Sequence, residues 1–167
     1  VGKIMGGGYP LGAISGREEI MSSFDMNLAG PESAVGQIGT LNGNPVACAA
    51  GLATLTELKK EGTYQRIWDT GRRLREALEK LCDYAEIPAQ TAGVDPVFDI
   101  LFTNNHISDY RSVLAADAHL NNKFRNLLQD QGVFRGPQKF YPSLAHNDED
   151  VDQTIEAFGQ VIKALRP

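Results

Sequence analysis

Four glycines fall within the first eight residues, Val1-Gly2-Lys3-Ile4-Met5-Gly6-Gly7-Gly8, around a single lysine. Each glycine costs backbone entropy in regular structure and permits dihedral angles that other residues avoid, so residues 1–10 read as a shaped loop. The same glycines strip side-chain bulk from around the Lys3 amine. A planar aromatic or phosphate-bearing ligand could approach it closely, and a desolvated amine there can lose its proton and attack a carbonyl. Spacing alone leaves a second reading open, a glycine-rich turn with a solvated lysine. A P-loop is disfavoured, because that motif needs Ser or Thr after Gly-Lys and Ile4 stands there.

Elements of mixed type follow the loop. Leu11 to Ser15 is an apolar strand candidate and Arg17 to Phe24 a short helix, while Asp25 to Asn44 is polar and Gly-rich without low-complexity bias, a long ordered loop. Asn44-Pro45 marks a helix start, since Asn can cap free amides and Pro fits the first helical position, where no N–H is needed. Val46, Ala49, Ala50, Ala53 and Leu58 line the next face, and their small side chains allow another backbone to come close. Gly62 supplies a stop. Thr63 opens a second helix with Ile67, Leu74, Leu78 and Leu81 near helical spacing and a charged face, Arg72 to Lys80, read as solvated. Val97, Phe98, Ile100, Leu101 and Phe102 form a strand-like run. A helix from Asp117 to Gln131 and two short strands, Val133-Phe134 and Phe140-Tyr141, around a Gly-Pro turn come next. The last helix is capped by Asn147 and Asp150 and buries Val151, Ile155, Phe158, Ile162 and Leu165.

Apolar residues make up 42% and charged residues 22%, enough for the core of a globular domain. The formal charge of −5 offers no broad attraction for nucleic acid or anionic lipid, so neither is an expected partner. No apolar run approaches the about 20 residues of a spanning helix, and nothing at the start reads as a secretory signal. A cytoplasmic location is the simplest expectation. Cys48 and Cys82 lack CxxC spacing and are read as buried thiols. His106 and His119 show no partner pattern, so no metal site is expected, and His146, at a strand-to-helix turn, takes a structural role. Pro167 follows a well-formed helix, whereas Val1 leads straight into the loop, so the start reads as cut.

The segment from Gly2 to Ala13, Gly-Lys-Ile-Met-Gly-Gly-Gly-Tyr-Pro-Leu-Gly-Ala, resembles the Schiff-base lysine motif of class III aminotransferases, especially the branch containing glutamate-1-semialdehyde aminomutase. Arg17-Glu18-Glu19-Ile20-Met21 is similar to the helix after that motif. Gly39-Thr40-Leu41-Asn42-Gly43-Asn44-Pro45 is similar to the family's phosphate-contacting Gly-Thr turn and Asn-Pro helix start. Gly132-Val133-Phe134, Ser143-Leu144-Ala145-His146 and Asp148-Glu149-Asp150-Val151-Asp152 resemble its C-terminal signature. These motifs keep their order over essentially the whole chain.

The resemblance implies an α/β chain of the fold-type I, pyridoxal-phosphate-dependent transferases. Residues 1–65 would end the cofactor-binding large domain and 66–167 would form the C-terminal α+β small domain. It implies pyridoxal 5'-phosphate (PLP) as cofactor, held on Lys3, which would also move a proton between substrate carbon and cofactor. Gly39 and Thr40 would contact the cofactor phosphate of a neighbouring subunit, which implies a homodimer. The small-molecule partners would be an amino donor and a keto acceptor.

Two departures shape the expectation further. The family's pyridine-pairing carboxylate, stacking aromatic and main phosphate cup all precede the lysine, so these 167 residues alone are expected to bind the cofactor poorly and to be inactive. Between Val133 and Ser143 the aminomutase branch carries a longer stretch with a glutamate after a phenylalanine. Here the stretch reads Phe134-Arg135-Gly136-Pro137-Gln138-Lys139-Phe140-Tyr141-Pro142, with Arg135 and Lys139 taken as solvated hairpin cations. That moves the expected reaction from intramolecular amino transfer, the isomerase alternative, to transamination onto a separate keto or aldehyde acceptor. The reading from a different class is a non-catalytic remnant or assembly module.

Overall fold

Five of the helices described below begin where a side chain accepts from free backbone amides, at Asp25, Asn44, Asp109, Asp117 and Asn147. The computed structural model describes residues 2 and 4–166; Val1, Lys3 and Pro167 lie outside the described residues. The helices are α1 (Glu18–Met21), α2 (Met26–Ala29), α3 (Pro45–Leu58), α4 (Thr63–Tyr84), α5 (Tyr110–Leu114), α6 (Ala118–Asp130) and α7 (Asp148–Leu165). The strands are β1 (Gln90–Val94), β2 (Val97–Leu101) and β3 (Lys139–Phe140). At α3 the Asn44 carbonyl oxygen accepts from the amides of Val46 and Ala47, each at 3.1 Å. At α7 Asn147 and Asp150 form a reciprocal capping box, and Asp148 and Glu149 add negative charge to the first turn, where the helix dipole favours it. Contacts divide the chain into two units, Val1–Glu61 and Gly62–Pro167.

The second unit is built on an antiparallel sheet of order β1-β2-β3. Gln90 faces Leu101 and Val94 faces Val97 across the first pair; Phe98 faces Phe140 across the second. The amphipathic helices α4, α6 and α7 turn Leu74 and Leu78, Phe124 and Leu128, and Phe158 and Ile162 into one core with Phe98, Ile100 and Phe140. Phe98 and Phe140 stack at 4.9 Å, and Phe140 meets Phe158 edge-on at 5.5 Å, arrangements that suit the ring quadrupoles. Gly71 lets α4 reach the β1–β2 turn, because a methyl group there would overlap the carbonyl of Asp95.

The elements depart from the expected ones where local signals were thin. β1 carries Gln90, Thr91 and Gly93, no strand pattern of its own, and exists because β2 pairs with it. α5 was likewise unforeseen, although Asp109 and Ser112 form its capping box. Val133-Phe134 is not a strand, and from Leu11 to Ser15 only Gly12 pairs, in an isolated bridge with Gly2. The charged face of α4 is only partly solvated. Arg75 donates to Thr91 Oγ1 at 2.6 Å and reaches Asp95 Oδ1 at 3.4 Å, so the helix is tied to the sheet through polar contacts.

The first unit has no comparable core. α3 is apolar around its whole circumference, with Ala47 and Gly51 buried but Val46, Leu52 and Leu55 exposed. A helix of that kind belongs in the interior of a larger body. Among the described residues, no helix is long and apolar enough to cross a membrane.

Residues 62–167 produced alone should therefore unfold in one cooperative denaturant transition followed by near-ultraviolet circular dichroism. In that fragment Phe158→Ala should lower stability by about 3–5 kcal/mol, the range for emptying an aromatic from a packed core. A gradual, non-cooperative transition would show that this core needs the first unit.

Candidate functional site

The glycine-rich loop is tied at its base and seated on α3. Gly2 and Gly12 pair across the base, and Ile4–Gly6 form a 3-10 turn. The amide of Tyr9 donates to the Gly6 carbonyl at 3.0 Å, and that of Leu11 to the Tyr9 carbonyl at 2.8 Å. Leu11 lies over α3 where Gly51 has no side chain, and a methyl group at Gly51 would overlap Leu11 Cδ2. Gly7 adopts φ +57°, which disfavours any side chain, and a methyl group there would come 2.9 Å from Thr54 Oγ1. Lys3, the residue assigned to the cofactor by resemblance, lies outside the described residues; its neighbours Gly2 and Ile4 are described.

Gly39 and Thr40 fall in an exposed turn. The Gly39 carbonyl accepts from the Asn42 amide at 2.9 Å, and the Leu41 carbonyl accepts from the Asn44 amide at 3.1 Å, which leads directly into the cap of α3. The amides of Gly39, Thr40 and Leu41 and the Thr40 hydroxyl make no hydrogen bond to described residues. Consecutive free N–H groups beside a hydroxyl are the kind of donor set that binds a phosphate. A cavity of about 330 Å³ is bordered by Pro10, Leu11 and Gly12 of the loop and by Leu41, Asn42 and Gly43 of the turn. The structure thus brings the end of the lysine loop and the end of the turn to one space, while Gly39 and Thr40 themselves do not line it.

In the second unit Arg135 corrects the sequence reading, because it is buried rather than solvated. Its guanidinium contacts the Asp99 carboxylate and the Gln138 carbonyl, and donates to Asn121 Oδ1 at 2.8 Å. It also lies 4.8 Å from the centre of the Phe140 ring. Burial pushes the Arg135 pKa down, and burial raises that of Asp99 against the opposing pull of the guanidinium. Arg135 Nε has no partner among the described residues. The signal that could have found this pair is Asp99 itself, an acid inside the apolar run Val97 to Phe102 that needed a cation once buried. Lys139 is exposed as expected.

The remaining candidates are structural. His146 Nδ1 accepts from the Ser143 amide at 3.0 Å, and its carbonyl accepts from Arg66 at 3.2 Å, so both ends of the residue hold the turn before α7. Both cysteines are free thiols: Cys82 is buried, with its pKa pushed up to about 12 mainly by desolvation, whereas Cys48 is exposed and not buried as expected. Among the described residues no group of three or more His, Cys, Asp or Glu side chains is placed to hold a metal ion.

Comparison with known proteins places these features. The family model described as aminotransferase class-III matches residues 1–162. A glutamate-1-semialdehyde 2,1-aminomutase of Desulfosudis oleivorans is 36% identical over 99% of this chain and 38% of its own. An omega-transaminase of Sphaerobacter thermophilus superposes with a TM-score of 0.88 at 29% identity, covering 99% of this chain and 38% of its own. A β-phenylalanine aminotransferase of Variovorax paradoxus gives 0.85 at 28%, over 98% and 37%. The chain therefore spans well under half the length of the relatives it matches.

The Asp99–Arg135 pair yields a direct test. Asp99→Ala leaves a buried guanidinium uncompensated and should cost about 3–5 kcal/mol, read from the denaturant midpoint. Asp99→Asn, which keeps an acceptor, should cost less.

Proposed function

Because the chain belongs to the class III aminotransferases, and has the fold of their fold-type I PLP-dependent enzymes, we propose that it forms part of a transaminase. This enzyme passes an amino group from a donor to a separate keto or aldehyde acceptor, with PLP as cofactor. Residues 1–65 belong to the cofactor domain and 66–167 to the small domain, within a longer cytoplasmic polypeptide. The observation that carries the reading is the glycine loop closed by the Gly2–Gly12 bridge and seated against Gly51, which holds Gly2 and Ile4 on either side of Lys3.

The residues present fit the cofactor. Lys3 Nζ would hold it covalently, and the unpaired amides and hydroxyl of Gly39 and Thr40 suit its phosphate. Bound PLP supplies an electron sink for the negative charge that develops at the substrate carbon. Lys3 Nζ, when free, would take the proton from that carbon and return it on the product side, as a general base and then a general acid. In a homodimer, Thr40 would contact the phosphate of the cofactor held by the neighbouring subunit. Exposed Ile38, Val46, Leu52 and Leu55, on the loop before α3 and on α3 itself, are the apolar surface that such assembly would cover.

One observation favours a second reading. Identity to the aminomutase, 36%, exceeds the 29% and 28% found for the two transaminases. The intermolecular reaction is preferred because residues 133–143 lack the longer glutamate-bearing stretch of the aminomutase branch.

Borohydride reduction of the full-length enzyme should fix PLP to Lys3, located by mass spectrometry; attachment to another lysine refutes the assignment. Lys3→Ala should abolish transamination with an unchanged circular dichroism spectrum. Thr40→Ala should weaken cofactor binding by about 1.5–3 kcal/mol, the scale of a charge-assisted hydrogen bond. Given an amino donor alone, each site should release one equivalent of keto product and then stop until an acceptor arrives. Sustained isomerisation of glutamate-1-semialdehyde without an acceptor would instead establish the aminomutase.

A further inference from the structure

We infer that Gly51 of α3, through its contact with Leu11, is a positioning residue that sets where the lysine loop stands; this rests on the reading of Lys3 given above. Ala47, Gly51 and Thr54 follow one another at spacings of four and three, so they share one face of α3. The loop meets that face at two glycines, Gly51 of the helix and Gly7 of the loop. Leu11 Cδ2 fills the space over Gly51, and the Met5 carbonyl oxygen would be 3.5 Å from a methyl group there. Gly7 abuts Thr54 Oγ1, and that hydroxyl is already directed into the helix, donating to the Ala50 carbonyl at 2.9 Å.

The contact at Gly51 reaches the base of the loop along a short path. Leu11 Cβ packs against Gly6, where a methyl group would be only 2.9 Å away, so the root of the leucine is held by the 3-10 turn. The next residue, Gly12, is the one bridged to Gly2, and Lys3 follows Gly2 in the chain. A displaced Leu11 therefore pulls on the strand of backbone that carries Lys3. Misplacing a reacting group by about 1 Å can cost on the order of 100-fold in rate, so a modest shift of the loop is enough to be read kinetically.

Gly51→Ala is the informative change. Alanine is the better helix former, so propensity alone predicts that α3 gains stability, and any loosening of the loop reports the lost contact with Leu11. Leu11→Val, which lacks the δ carbons, makes room for the new methyl group. The measurements are hydrogen exchange of the peptide spanning residues 4–12 and steady-state kinetics of the full-length enzyme. In Gly51→Ala, exchange in that peptide should speed up while peptides from α4 to α7 stay unchanged. The value of kcat should fall by about 10- to 100-fold with little change in the KM of the amino donor. Adding Leu11→Val should restore both. Wild-type exchange in Gly51→Ala, or a lowered kcat that Leu11→Val leaves uncorrected, would overturn the inference. Failure of borohydride to fix cofactor on wild-type Lys3 would overturn the functional reading instead, and loop exchange alone would then decide whether Gly51 seats the loop.

Discussion

Mutual burial of Phe98, Phe124, Phe140 and Phe158 is the contact on which the second unit depends, since these rings bring β2, α6, β3 and α7 into one cluster. Each ring removes a large apolar area from water, and the edge-on and stacked pairs add to that term. The polar devices around this cluster follow from it. Arg135 can be buried because Phe140 offers a ring face and Asp99 a carboxylate, and the guanidinium in turn links β2 to α6 through Asn121. A cation in such a place gives little net stability, but removing its partner is costly, so the pair ties β2 to the segment that leads into β3.

The first unit is organised by the opposite rule, the absence of side chains. Its contacts between loop and helix set a side-chain atom against a bare glycine, Leu11 Cδ2 on Gly51 and Thr54 Oγ1 on Gly7. Little of the unfavourable entropy of ordering the loop is offset by such contacts. The large apolar residues of this unit instead point outward, Ile38 being 96% exposed. On the proposed function, a loop that holds a reactive amine gains from this arrangement, because glycine contacts set backbone position without adding side-chain bulk.

The sequence disclosed what local chemistry dictates. Asn44-Pro45, Gly62-Thr63 and Asn147 with Asp150 mark the starts of α3, α4 and α7, since caps and prolines act within a few residues of themselves. It concealed what only pairing creates. β1 has no alternating pattern, and Val133-Phe134 has β-rich residues but no partner strand. In the candidate site the Gly-Thr turn and the lysine loop were legible because glycine runs and resemblance both pointed there. The burial of Arg135 was not, because a cation in a Gly-Pro segment reads as solvated until a carboxylate from β2, 36 residues earlier, is folded against it. The seat at Gly51 was not legible either, because the small-residue face read from the sequence, Val46, Ala49, Ala50 and Ala53, is not the Ala47, Gly51 and Thr54 face that meets the loop.

These two modes of construction imply different responses to ligands. Among the described residues of the second unit, Arg135 Nε is the one buried side-chain polar atom without a partner, and the apolar stripes already face one core. Binding at the first unit has little there to improve. In the first unit, the amides of Gly39, Thr40 and Leu41, without a partner among the described residues, and the exposed side chains of α3 are groups that association would satisfy or cover. A ligand or partner that binds only the folded form shifts the folding equilibrium by mass action. On the proposed function, cofactor phosphate and the second subunit both act at that turn and helix. The order of the glycine-rich loop, seated on α3, is then coupled to assembly, while the second unit keeps its own core.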